Sequence, residues 1–165
     1  MPVAAYLTVK GRELGPYLGL ITDAGLQGSI LVHSFSHQIV SPLDPATGLA
    51  AGKNQPSSLT FVKEVDQSTP LLWTTFANNE PLTSFSLRFW PPADPAAAAP
   101  ATQPFYTIRL TNAVIASMKR TMADNSDPAS AVLPMLEQIT FTYQQIEWIW
   151  TEGEVTAQAP WQSIG

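Results

Sequence analysis

The 165-residue chain contains no cysteine. That removes disulfides, thiol nucleophiles and cysteine-ligated metals at once. Charge is also scarce: 13% of residues are charged, against a usual share of roughly 25%. Such a surface is either one that becomes covered or one whose Pro- and Ala-rich loops are merely neutral. Eight basic residues stand against thirteen acidic ones, a net charge of −5, and they are scattered. Nucleic-acid binding needs clustered Lys and Arg to displace counterions, so it is excluded. Attachment to a membrane surface fails on the same ground, and no apolar run is long enough for membrane insertion. Residues 1–10 lack the basic start and long apolar stretch of a signal peptide. Any export is expected to use another route.

Catalytic patterns are missing as well. His33 and His37 form H-x-x-x-H, but the context is a strand, where four steps span about 13 Å at about 3.3 Å each. Two such rings in one subunit cannot share an ion, so neither a metal nor a cofactor is expected. Ser36, His37 and Asp44 supply the letters of a hydrolase triad, yet no serine lies in a G-x-S-x-G elbow. The pairs Glu64/Asp66 and Glu152/Glu154 read as solvated or ion-paired carboxylates on strands. Lys63, beside the first pair at a strand end, suits local ion pairs. Residues 48–53, G-L-A-A-G-K, fall one short of phosphate-loop spacing, and Asn54 stands where a magnesium-binding Ser or Thr belongs. The chain is not read as an enzyme.

What is present is mostly period-two alternation, the mark of strands. Strands are predicted over residues 4–9, near 17–22, and over 29–40, 59–65, 83–90, 105–118 and 137–151. In the 29–40 strand, Ile30, Val32, Ser34, Ser36 and Gln38 would share one face. Phe35 and Ile39, on the other, suit the core. Ser68-Thr69-Pro70 reads as a helix start: Ser68 can cap, and proline is tolerated in a first turn. That helix, about residues 68–79, would bury Leu72, Phe76 and either Trp73 or Leu71. A short helix near 129–136 is interrupted by Pro134. Residues 91–104 are Pro/Ala-rich and cannot pair in a sheet, so they form a surface loop. Residues 41–57 are polar and longer than the usual connection of about 4–6 residues. The fold class is mainly β: one domain over residues 1–165, a barrel or sandwich of packed antiparallel sheets with one α-helix.

Three segments together resemble the haemolysin-coregulated protein (Hcp) family, the tube proteins of type VI secretion. They are LTFVKEVDQSTPLL at 59–72, FYTIRLTNAVIASM at 105–118 and LEQITFTYQQIEWIW at 136–150. GSILVHSFSH at 28–37 and P-x-D-x-x-T-G-x-x-x-G-K at 42–53 fit too, so the match runs in order along nearly the whole chain. It departs after Gly52-Lys53, where Asn54, Gln55 and Pro56 replace basic residues and a histidine. The loop at 91–104 is also longer than in the family.

The resemblance implies an antiparallel β-barrel of two packed sheets with one flanking α-helix, assembled into a hexameric ring, a homohexamer whose copies stack into a tube inside a contractile sheath. The tube would carry effectors in its lumen and meet sheath and spike components. It would assemble in the bacterial cytoplasm and then be secreted by a signal-peptide-independent route. Ser34, Ser36 and Gln38 are the candidate lumen-facing, effector-contacting residues. The loop bearing Pro42, Asp44, Thr47, Gly48, Gly52 and Lys53 is the candidate ring-stacking element. The alternative is a stand-alone β-barrel module binding a small ligand or sugar through exposed tryptophans.

Overall fold

Alternating burial sets the strands. A computed structural model describes residues 3–52, 55–56 and 58–161. Its elements are β1 (Ala4–Gly11), β2 (Gly15–Tyr17), β3 (Ile30–Ser36), β4 (Ile39–Val40), β5 (Gln55–Pro56), β6 (Leu59–Glu64), α1 (Thr69–Ala77), β7 (Leu82–Trp90), β8 (Tyr106–Thr111), β9 (Val114–Thr121), β10 (Leu136–Thr142), β11 (Gln145–Trp150) and β12 (Val155–Pro160). Ten strands join one antiparallel sheet in the order β12-β11-β8-β7-β1-β3-β6-β10-β9, with β2 added to β1; β4 and β5 pair apart. The two packed sheets of the sequence reading are thus one continuous hydrogen-bonded path. Inward residues such as Leu7, Leu59, Phe61, Leu87, Ile139 and Phe141 are fully or almost fully buried. Phe141 stacks on Phe61 at 5.5 Å and meets Phe85 edge-on at 5.1 Å, so three strands share one aromatic centre.

The two longest predicted strands are each broken once, at the same level of the molecule. Residues 105–118 divide into β8 and β9 at Asn112 and Ala113; residues 137–151 divide into β10 and β11 at Tyr143 and Gln144. Asn112 takes a left-handed φ of 50°, which Asn tolerates better than most residues. Its Nδ2 donates to Gln144 Oε1 at 2.5 Å, and the Gln144 amide donates to the Thr111 carbonyl at 2.9 Å. The result is one long hairpin bent at a shared corner. One half pairs β8 with β11 and continues to β7; the other pairs β9 with β10 and continues to β6. One bent hairpin therefore supplies strands to both ends of the path.

α1 begins where the sequence places it, but its cap differs. Ser68 is the N-cap residue without a side-chain cap bond; its hydroxyl donates to Asp66 Oδ1 instead. The fully covered helix positions are Thr69, Leu72 and Thr75, while Leu71, Trp73 and Phe76 are half-buried. Thr69 is drawn in by a buried polar knot. Lys63, with no exposed surface, donates to Glu137 Oε1 at 2.6 Å, Asp66 Oδ1 at 3.0 Å and Thr69 Oγ1 at 3.2 Å. Thr69 Oγ1 in turn donates to Glu137 Oε1 at 2.7 Å. Each member of the knot has a partner, as burial of charge requires.

Other expectations change in detail. The early strand is β2, ending at buried Tyr17, and residues 18–28 form turns. The expected short helix near 129–136 is a series of turns. β12, unforeseen, pairs with β11 along all six of its residues. Glu152 and Glu154 lie in the turn before it, not on a strand.

Candidate functional site

β3 carries the first candidates, and a bulge decides where they point. Val32 stands opposite Lys63, but Ser34, not His33, stands opposite Val62. One extra residue at His33 reverses the alternation after it. Ile30 and Val32 therefore face the core before the bulge and Phe35 packs against it afterwards. Ser34 and Ser36 are exposed on the opposite face. The sequence expectation that Ile30, Val32, Ser34, Ser36 and Gln38 share one face is corrected. Gln38 lies beyond the end of β3, exposed in the link to β4, and Ile39 is exposed on β4. Ile39 thus does not join the core.

Ser36 belongs to a longer row. It stands opposite Thr60, which stands opposite Thr140, which stands opposite Ser117. Thr60 and Thr140 share a hydroxyl hydrogen bond at 3.1 Å. The next row is Ser34, Val62, Gln138 and Lys119. Over β3, β6, β10 and β9 the face away from the core is thus largely hydroxyl and amide, with Lys119 the charged member of these two rows. Thr60, Ser117, Gln138 and Thr140 were missed from sequence. The signal was there: Thr60 alternates with Leu59 and Phe61, and Thr140 with Ile139 and Phe141.

The described part of the segment from 41 to 57 is not an irregular loop. β4 and β5 pair at its base, and Leu43 bridges Ala50 farther out. The Ala51 amide donates to the Pro42 carbonyl at 2.8 Å and the Asp44 amide to the Leu49 carbonyl at 2.8 Å. Asp44 Oδ1 accepts the Ala46 amide at 2.9 Å, and Thr47 Oγ1 the Leu49 amide at 3.3 Å. Gly48 supplies the φ of 70° that turns the tip, and Gly52 lies against Pro42. The element is a two-stranded arm, with Leu43 and Leu49 exposed at 61% and 69%. Lys53 lies outside the described residues.

His37 marks where the arm leaves the body. Its Nε2 is 2.7 Å from the Tyr143 hydroxyl, and Trp161 packs edge-on to Tyr143 at 4.9 Å. Burial holds the His37 imidazole below its ordinary pKa and pushes Tyr143 up to about 12. Both groups are therefore neutral at physiological pH. His33 turns elsewhere, to Glu64 Oε1 at 3.1 Å. The histidines thus go to separate partners, and Glu64 and Asp66 part company likewise. No cluster of three or more metal-ligating side chains occurs among the described residues.

Comparison with known proteins places this geometry. Residues 6–150 match the family described as "Type VI secretion system effector, Hcp". The major exported protein of Pseudomonas aeruginosa is 26% identical over 172 residues, spanning 99% of this chain and 98% of that protein. Among solved structures, Hcp1 from the EAEC 042 pathovar of Escherichia coli superposes with a TM-score of 0.82 at 22% identity, covering 97% of this chain and 99% of that one. Hcp3 of P. aeruginosa gives 0.74 at 22% identity, covering 98% and 100%.

Proposed function

The chain belongs to the Hcp family of type VI secretion, a family of structural, non-catalytic proteins, and from that premise we propose that it is a tube subunit. Six copies form a ring, and the bent hairpin closes each subunit's sheet into a barrel. Rings stack into a tube that carries effectors in its lumen. Sheath and spike components are its other partners. It is made in the bacterial cytoplasm and leaves with the tube, by a route independent of a signal peptide.

The observation that carries this reading is the hydroxyl and amide face over β3, β6, β10 and β9. A wall that must hold varied cargo and release it needs weak, adaptable hydrogen bonds rather than a fixed charge pattern. Ser34 and Ser36 stand on it, with Gln38 at its margin. The arm, tipped by Asp44, Thr47 and Gly48, projects from the body and meets the next ring.

Mass in solution tests the assembly. Light scattering at micromolar concentration should give six times the 17.9 kDa of one chain; a monomer or dimer would count against the ring. Ser36→Cys labelled with a bulky maleimide should leave the ring intact and impair cargo retention. Loss of folding would place Ser36 in the core.

A further inference from the structure

A cleft of about 960 Å³ opens beneath the Pro/Ala loop, on the non-core side of β1 and β7. Tyr6 and Trp90 give it aromatic surface, Pro91 and Pro92 a rigid wall, and Asp23 and Asp94 its only charges among the described lining residues. Its size lies at the upper end of the roughly 300–1,000 Å³ typical of ligand sites. The tube reading gives it no role.

Both acids are held by turns. The Asp23 carbonyl accepts the Leu26 amide at 2.9 Å. Asp94 accepts the Ala97 amide on its carbonyl at 3.1 Å and the Ala96 amide on Oδ1 at 2.8 Å. The nearest cation by register is Arg88, opposite Tyr6 on β7. Its guanidinium donates to Thr8 Oγ1 and Ser29 Oγ, each at 3.1 Å, and it does not line the cleft. Acidic charge beside aromatic faces fits a cation, and a guanidinium best, since it stacks on rings and pairs with carboxylates. A second observation narrows the class. The Trp90 indole N–H is buried and has no partner among the described residues. Such a donor lacks an acceptor. A peptide carbonyl supplies one; a bare amine does not.

We infer that this cleft is a docking site for an extended peptide segment of a partner protein bearing a basic side chain. The side chain lies between the aromatic faces and the two carboxylates, and a backbone carbonyl accepts from the Trp90 indole.

Calorimetry on the assembled, full-length protein tests this with acetyl-Ala-Ala-Arg-Ala-Ala-amide and its citrulline counterpart, which keeps the shape and removes the charge. The arginine peptide should bind in the millimolar range or tighter, and the citrulline peptide about tenfold more weakly. Asp23→Asn/Asp94→Asn should cost the arginine peptide a similar factor, and Trp90→Phe, which removes the N–H donor together with part of the ring surface, at least a few-fold. Equal binding of the two peptides, or none by the arginine peptide, overturns the inference. So does spermidine binding as tightly as the peptide, which would mark a small-cation site. If the variants alter ring mass or stacking while no peptide binds, the cleft is a contact between copies and the inference also falls. The peptide comparison is made on the unaltered chain, so it decides the matter whether or not the variants assemble.

Discussion

Lys63 and Glu137 stand directly opposite one another on β6 and β10, with Nζ and Oε1 2.6 Å apart and neither side chain exposed. Removing Lys63 leaves Glu137 buried without its counter-ion, whereas removing the Glu137 charge leaves Lys63 still paired with Asp66. Lys63→Met should lower stability by about 3–5 kcal/mol, and Glu137→Gln by less. The Lys63→Met/Glu137→Gln double variant should cost less than the sum of these two singles. Denaturant titrations at one fixed protomer concentration check this. Additive losses would show that the pair is not coupled.

The His37–Tyr143 anchor makes the arm's attachment sensitive to acid. Burial favours the neutral imidazole in the folded state, so its folded pKa lies below the ordinary 6.5. Its contribution to stability is fully present above about pH 6.5 and is lost as pH falls through the lower, folded value. Melting temperature should therefore fall between pH 6.5 and pH 5 more steeply in the parent than in His37→Gln. Identical slopes would remove His37 as the cause.

At the corner of the long hairpin, Asn112 combines a left-handed backbone with a hydrogen bond to Gln144. Asn112→Ala should destabilise by about 1–2 kcal/mol, because a Cβ without a compensating polar group is strained there. Asn112→Gly keeps the conformation and loses only the bond, so about 0.5–1 kcal/mol is expected. Thermal unfolding of both variants separates the two causes. Alanine milder than glycine would refute the strain argument.

Leu43 and Leu49 near the arm's tip test the stacking role. Leu43→Asp/Leu49→Asp should leave ring mass unchanged in light scattering while stacked rings disappear from electron micrographs. Tubes forming as readily as in the parent would leave the arm without that role. A ring that falls apart would assign the arm to the lateral interface.

The helix start at Ser68 and the core strands β1, β6 and β7 were legible because their apolar spacing runs unbroken into the packed interior. Three features were not. The bulge at His33 shifts phase by one residue without leaving a Gly or Pro to mark it. At Asn112 and Gln144 the chain bends while β-forming residues continue on both sides, so each pair of strands reads as one. The local ion pair expected at Lys63 is present, to Asp66, but its full burial and its second partner were not legible. That partner, Glu137, lies 74 positions along the chain and comes into register only through the β6–β10 pairing. Among the site residues, Ser34 and Ser36 were readable by type, but their common row with Thr60, Thr140 and Ser117 needed the cross-strand registers. Pro and Gly content made residues 41–57 look irregular, although those residues shape the arm's turns.

The bent hairpin also bears on how the chain is made. By the time residue 90 has left the ribosome, β7, β1, β3 and β6 are all available, and β1 and β3 lie between the other two. Both outer strands of this nascent sheet then have open edges: β7 waits for β8, and β6 waits for β10. Open edges invite pairing with other chains. β8, complete at residue 111, can cover β7 first, but β6 stays open until β10 is complete at residue 142. Ribosomes translating one message side by side would hold many such half-finished sheets close together. The interval between residues 90 and 142 is therefore when this protein most needs a chaperone, and pausing there should raise its aggregation more than pausing anywhere later.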